Sequence, residues 1–325
     1  MILISGGSGF YGINTARCLA ERGEEVLLVQ RHKMAPHPIL VKYWDKQVKQ
    51  ALGNILDLSF LLGLVKTYKV DSIIHAAHST SGVRPPQGRE QVDPTAAEPL
   101  HQLLSVQIIG AINCFEAAHL MDLRRVTVVS SVDLYRGLPQ QCDVFNEDSY
   151  LPPIAFSEIG NCKRAVDEIG FLYVKTYGLS FASLRLGSNF GPACYPEGIN
   201  AMVTNALEGK PSNLPMVAPN RRTHSVYAKD SAEATCAVHL AKTLKNYIYN
   251  VACGTNPTMQ EIADTVKEVI PGAQIKLGQP IIKKADNLEN RPQTMDRIKE
   301  DVGFVPKTLK QGIEAYVMFV KTGEY

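Results

Sequence analysis

The first twelve residues constrain this chain most: Met1-Ile2-Leu3-Ile4-Ser5-Gly6-Gly7-Ser8-Gly9-Phe10-Tyr11-Gly12. The apolar run Met1 to Ile4 reads as a strand buried on both faces, as in a parallel sheet. It breaks into a glycine-rich turn, and Ile13 to Arg22 then reads as a helix stopped by Gly23. Gly7, Gly9 and Gly12 spell G-x-G-x-x-G; Gly6, Gly9 and Gly12 spell G-x-x-G-x-x-G. Such a turn lets the backbone approach a pyrophosphate, while the helix N-terminus presents N–H groups and a positive dipole end. Strand, turn and helix in this order predict the first half of a dinucleotide-binding βαβ unit. Gly6, Gly9, Phe10, Tyr11 and Gly12 are its candidate phosphate-side residues.

The second strand, Val26 to Val29, ends in Gln30-Arg31-His32-Lys33. A Rossmann unit selects NAD by an acidic residue there, about 20 residues past the glycines, which holds the ribose 2′-OH. No acid occurs from Val26 to Trp44, whereas Arg31 and Lys33 would attract a 2′-phosphate, so NADP is expected over NAD. Leu52 to Asp57 reads as the third strand and its exit, placing Asn54 and Ile55 at the adenine. Asp71 to His78 reads as a fourth strand running past Ala76 and Ala77 into a loop beside the cofactor. His75 and His78 lack a further ligand at metal spacing, and no metal is expected.

Beyond this half, Ser79 to Pro99 reads as a long loop, and helices are expected over 58–68, 100–120 and 160–177. Strands are expected at Val126 to Ser131 and Phe181 to Leu186. Pro- and Gly-rich sequence from Gly187 to Thr223 marks a change of lobe. Helices at 200–208, 230–244, 257–269 and 309–320 and a strand at 247–251 follow. The reading is α/β: a Rossmann-type doubly wound parallel sheet with a smaller mixed C-terminal substrate lobe. Its expected division is 1–186 plus 226–254 for the dinucleotide domain and 187–225 plus 255–325 for the lobe. A net charge of +2 gives nucleic acid no purchase, and no apolar run reaches the roughly 18 residues of a membrane helix. Seven scattered cysteines without a C-x-x-C pair, and no evident signal peptide, point to a cytoplasmic protein with reduced thiols.

Together these stretches resemble the extended short-chain dehydrogenase/reductase family, the NAD-dependent epimerase/dehydratase group, over essentially the whole chain. Besides the glycine turn, Val128 to Tyr135 is similar to the family strand that ends in Ser-Ser and then Tyr. Leu184-Arg185-Leu186-Gly187-Ser188-Asn189-Phe190-Gly191-Pro192 resembles its L-R-P-x-N-x-Y-G-P segment, and Tyr249 to Gly254 its Y-N-x-G-x-G strand. Arg291-Pro292 and Gly303-Phe304-Val305-Pro306 match C-terminal landmarks.

The resemblance implies an NAD(P)-dependent epimerase, dehydratase or reductase acting on a nucleotide sugar or small carbonyl metabolite. By that match Ser131 is the catalytic serine, Tyr135 lines the substrate pocket, and Lys163 is the lysine of Tyr-x-x-x-Lys, holding the cofactor ribose. The tyrosine itself is missing, because Ile159 stands four residues before Lys163. Isoleucine moves no proton. The chain is thus a redox enzyme with a substitute acid/base among Tyr135, Glu158, His78 and Cys162, a non-redox lyase or isomerase on the same fold, or a silent dinucleotide-binding sensor or scaffold. The family also carries an Arg for the substrate diphosphate. Thr223 falls at that position, with Arg221 and Arg222 just before it and Arg291 as a further candidate. The family's dimers pack two helices per chain, here about 100–120 and 159–177. On the first, Leu103, Leu104, Ile108, Ile112, Phe115 and Ala118 form an apolar stripe.

Overall fold

The computed structural model describes residues 1–78, 100–136, 143–155, 157–280 and 291–325. The loop expected at 79–99 lies outside them. The chain divides into two compact units, 1–130 with 161–183, and 131–160 with 184–325. Unlike the division read from sequence, this one assigns 131–160, 184–186 and 226–254 to the second unit.

Along the first part of the chain run β1 (Ile2–Ser5), α1 (Phe10–Glu21), β2 (Val26–Gln30), β3 (Val48–Leu52), α2 (Leu58–Tyr68) and β4 (Ser72–His75). Next come α3 (Leu100–Leu104), a π-helical turn at Ser105–Ile109, α4 (Gly110–Leu120), β5 (Arg125–Ser131), α5 (Glu158–Tyr177) and β6 (Phe181–Leu186). The later part contributes β7 (Ser188–Phe190), α6 (Ile199–Leu207), β8 (Ser212–Leu214), β9 (Ser225–Tyr227), α7 (Ala228–Leu240) and β10 (Ile248–Val251). It closes with α8 (Met259–Val269), β11 (Ile275–Leu277), α9 (Asp296–Val302) and α10 (Leu309–Thr322). Seven strands form one parallel sheet in the order β10-β6-β5-β4-β1-β2-β3, the doubly wound Rossmann arrangement. The order reverses at β1, which pairs in register with β2 (Ile2 with Val26) and with β4 (Ile2 with Ser72). That switch point puts the glycine turn at the crevice where such sheets bind ligands.

The third strand is a correction. It is Val48–Leu52 rather than the stretch beginning at Leu52; residues 53–57 form the exit loop, where Asp57 caps α2 by accepting from Phe60 N. The expected apolar stripe on 100–120 is also divided: Leu103, Phe115 and Ala118 are core, whereas Leu104 is exposed. Leu100–Leu120 is long and apolar enough to cross a membrane by length and composition alone. Its inner side nonetheless belongs to the first unit's core with Leu3, Leu27, Ile73 and Val126, the pattern of a buried helix in a globule.

The second unit has its own core, in which Phe190, Met202, Tyr227, Ile262, Val266, Ile313 and Val317 meet from α6, α8, α10 and β9. Thr258 and Thr308 start α8 and α10 with complete capping boxes, each pairing a threonine with the glutamate or glutamine three residues on.

Candidate functional site

In the first unit the glycine turn is built by close approach. Gly6 has φ +73°, and a Cβ there would lie 2.7 Å from Ala77 Cα. A Cβ on Gly12 would meet Gly6 O at 2.7 Å. The turn therefore folds tightly onto the exit of β4, and Gly6 N and Gly7 N both donate to Val29 O at the end of β2. Gly9 is the N-cap of α1, with no side-chain cap and no acidic residue in the first turn, so no carboxylate opposes an anion there.

Ser5 Oγ accepts from Ala76 N (3.2 Å) and Ala77 N (3.3 Å), so its own proton goes to His75 Nδ1 at 2.9 Å. This hydroxyl pins Ala76 and Ala77 beside the turn. His75 is fully buried, and burial foremost, with the Lys163 charge, pushes its pKa down to about 3. It serves as a neutral structural acceptor. Asn54 Oδ1 accepts from Leu56 N, while Ile55 is buried and its carbonyl accepts from Asn113 Nδ2 of α4. Arg31, His32 and Lys33 follow β2 directly and are exposed. A backbone cradle closed to side chains, an uncapped helix start and a basic turn fit a dinucleotide.

Lys163 lies on α5 in the same unit, one turn after Ile159 and on the same helix face. It is 5% exposed. Burial pushes its pKa down to about 8, while Asp167, which accepts from Ser183 Oγ at 2.6 Å, opposes that shift. Cys162 beside it is buried, and Glu158 at the helix start is exposed.

In the second unit Ser131 Oγ accepts from Asp133 N (3.1 Å) and starts the 3-10 turn that holds Tyr135. Asp133 pairs with Arg136 and accepts from Ser157 Oγ at 3.1 Å; Ser157 Oγ in turn accepts from Gly160 N. A Cβ on Gly160 would lie 2.7 Å from Asp133 O. Glycine there lets the start of α5, with Ile159, pack against the turn after β5.

Tyr135 lies in the interior, 2% exposed, with its ring stacked on Phe145 at 4.9 Å. Its hydroxyl donates to Asn250 Oδ1 (2.8 Å) and accepts from Arg185 Nη1 (2.7 Å). Asn250 N donates to Glu147 Oε1, and Arg185 lies 4.9 Å from the Tyr135 ring centroid. Burial drives the Tyr135 pKa up to about 12, against the pull of Arg185. This network escaped the sequence reading because its members come from positions 135, 147, 185 and 250.

His224 escaped it as well. Its Nε2 donates to Arg291 O at 2.5 Å, leaving the buried Nδ1 as a bare acceptor among the described residues. Of the candidate diphosphate arginines, Arg222 donates to Asn256 O, and Arg291 lies 3.8 Å from Asp143.

Residues 2–252 match the family model described as the NAD dependent epimerase/dehydratase family. A putative UDP-glucose 4-epimerase of Methanocaldococcus jannaschii is 25% identical over 99% of this chain and 98% of its own. Among solved structures, the Thermotoga maritima UDP-glucose 4-epimerase with UDP-glucose superposes with a TM-score of 0.79 at 20% identity, covering 99% of both chains. The Bacillus anthracis dTDP-glucose 4,6-dehydratase in complex with NAD gives 0.77 at 21% identity over 99% of this chain and 97% of that one.

Proposed function

Because the chain belongs to the NAD-dependent epimerase/dehydratase family, the extended short-chain dehydrogenase/reductase enzymes, we propose that it oxidises and reduces a nucleotide sugar with Lys163 moving the proton. The observation that carries this reading is a buried lysine one helical turn after an isoleucine, at the family's Tyr-x-x-x-Lys position.

The glycine turn and the start of α1 hold the pyrophosphate; Asn54 and Ile55 flank the adenine; Ala76 and Ala77 line the path beyond. Arg31 and Lys33 receive a 2′-phosphate, so NADP binds more tightly than NAD. When bound, the dinucleotide supplies the hydride acceptor or donor. What remains for the chain is the proton on the substrate hydroxyl. Tyr135 cannot take it, since both its hydroxyl hydrogen bonds are committed to Arg185 and Asn250. Glu158 is exposed in water. Lys163 has a pKa near 8, so amine and ammonium both exist near neutrality. The amine accepts the hydroxyl proton as the C–H bond gives up its hydride, and the ammonium returns a proton in the reverse direction. Ser131, by its match to the family serine, hydrogen-bonds a substrate oxygen.

Turnover of UDP-glucose, UDP-glucuronate and dTDP-glucose by purified protein with NADP or NAD tests the reading. We expect conversion of one of them, and Ser131→Ala lowers kcat by on the order of 10²-fold. Binding of dinucleotide with no conversion of any nucleotide sugar or simple ketone favours the second reading, a dinucleotide-binding sensor, to which Ile159 lends weight. The sugar diphosphate falls to the arginines at 221, 222 and 291. The exposed apolar set Leu100, Leu104, Ile109, Leu120 and Leu172 on α3 to α5 supports a homodimer through these helices. Among the described residues six buried cysteines, none of them in a disulfide, are in keeping with a reducing cytoplasm.

A further inference from the structure

We infer that Gln30 is the acceptor for an adenosine-ribose hydroxyl of the dinucleotide, held in orientation by Gln50 and Met34. The inference rests on the dinucleotide reading above and concerns the one position where a Rossmann unit ordinarily carries an acid. Gln30 is the last residue of β2, and the glycine turn hydrogen-bonds to the residue before it, through Gly6 N and Gly7 N to Val29 O. The side chain thus leaves the sheet at its C-terminal edge, next to the phosphate cradle.

A carboxamide can face either way, but here the backbone decides. Met34 N donates to Gln50 Oε1 and Met34 O accepts from Gln50 Nε2, both at 3.1 Å. A backbone N–H can only donate and a carbonyl can only accept, so the Gln50 amide has one orientation. Gln50 Oε1 then faces Gln30, and only the Gln30 Nε2–H₂ can meet it, at 2.8 Å. Gln30 Oε1 is consequently turned the other way. It is buried and has no donor among the described residues. Buried side-chain carbonyls are nearly always paired, and one fixed without a partner beside a ligand cradle is an acceptor awaiting a donor. A ribose hydroxyl is the dinucleotide's donor at this end of the sheet. Unlike a carboxylate, the neutral amide accepts that hydrogen bond without repelling a 2′-phosphate beside Arg31 and Lys33.

Calorimetric titration of the purified full chain with NADP and with NAD, at one ionic strength, tests this through three variants. Gln30→Leu keeps the shape and removes the acceptor; it weakens both dinucleotides about tenfold, while Gln50 keeps both of its hydrogen bonds to Met34 in the ligand-free protein. Gln30→Glu keeps the acceptor and adds charge, shifting the NADP:NAD affinity ratio at least tenfold toward NAD. Gln50→Leu frees the Gln30 amide to turn and weakens both ligands by a smaller factor. Gln30→Leu binding both within twofold of wild type overturns the inference while leaving dinucleotide binding intact. A wild-type protein that binds neither overturns the dinucleotide reading itself. A wild type that prefers NAD removes only the roles of Arg31 and Lys33.

Discussion

At Tyr135 the side chain that sequence matching places beside the substrate is hydrogen-bonded in the interior to Asn250 and Arg185. Replacing it by Phe leaves Asn250 Oδ1 without the tyrosine donor and removes one hydrogen bond of the Arg185 guanidinium in the interior, where an unmet polar group costs about 1–3 kcal/mol. Tyr135→Phe should therefore lower unfolding free energy by about 2 kcal/mol or more in denaturant titration, and reduce kcat far less than Ser131→Ala. Unchanged stability with activity abolished would make Tyr135 an acid/base after all. Lys163 gives the opposite sign. Its pKa is lowered from 10.5 to about 8, so between those values the unfolded chain binds more protons and stability rises with pH; below about 8 the buried ammonium carries its full penalty. Lys163→Met should stabilise the ligand-free protein at neutral pH, by up to about 3 kcal/mol at 1.36 kcal/mol per pKa unit, and erase the rise above pH 8. Ile159 is the missing hydroxyl itself. Ile159→Tyr should add reductase or epimerase turnover, read by product analysis with the same nucleotide sugars.

At the scale of elements, the strand–turn–helix at the N-terminus was fully legible, because a buried parallel strand is a continuous apolar run and the turn demands glycine at fixed offsets. Gly12→Ala should reduce dinucleotide affinity by tenfold or more in calorimetry, since the added Cβ would lie 2.7 Å from Gly6 O and open the cradle. β3 was misplaced for a physical reason. It is the edge strand of the sheet, beside β2, and its Val-Lys-Gln-Ala-Leu sequence lacks the apolar continuity that marks β1 and β2. The apolar exit loop from Leu52 looked more strand-like than the strand. The π-helical turn at Ser105–Ile109 left no mark in the 3.6-residue pattern, and only packing revealed which residues of 100–120 face the core. The site divides the same way. Residues close in sequence, such as Gly6 to Gly12 or Ile159 with Lys163, were readable. The partners of Tyr135, 115 and 50 residues away, and the Gln30–Gln50–Met34 relay were not.

For the whole molecule, the proposed dimer through the exposed apolar residues of α3, α4 and α5 predicts that light scattering at micromolar protein gives twice the 35.7 kDa chain mass; Leu104→Glu with Leu172→Glu should return it to one. A wild-type monomer would leave that surface unexplained. The central claim is that Lys163 performs the proton transfer its missing tyrosine neighbour would have performed. Its most direct test is the pH dependence of kcat/KM on a converted nucleotide sugar, followed by the near-ultraviolet absorbance of reduced nicotinamide or by product formation, for wild type and Lys163→Met. The account predicts that oxidation rises with pH through a single ionisation near 8, and that Lys163→Met, measured at saturating dinucleotide, loses this ionisation with at least a hundredfold of the rate. Turnover by Lys163→Met at the wild-type rate, or a wild-type profile flat through pH 8, would contradict it.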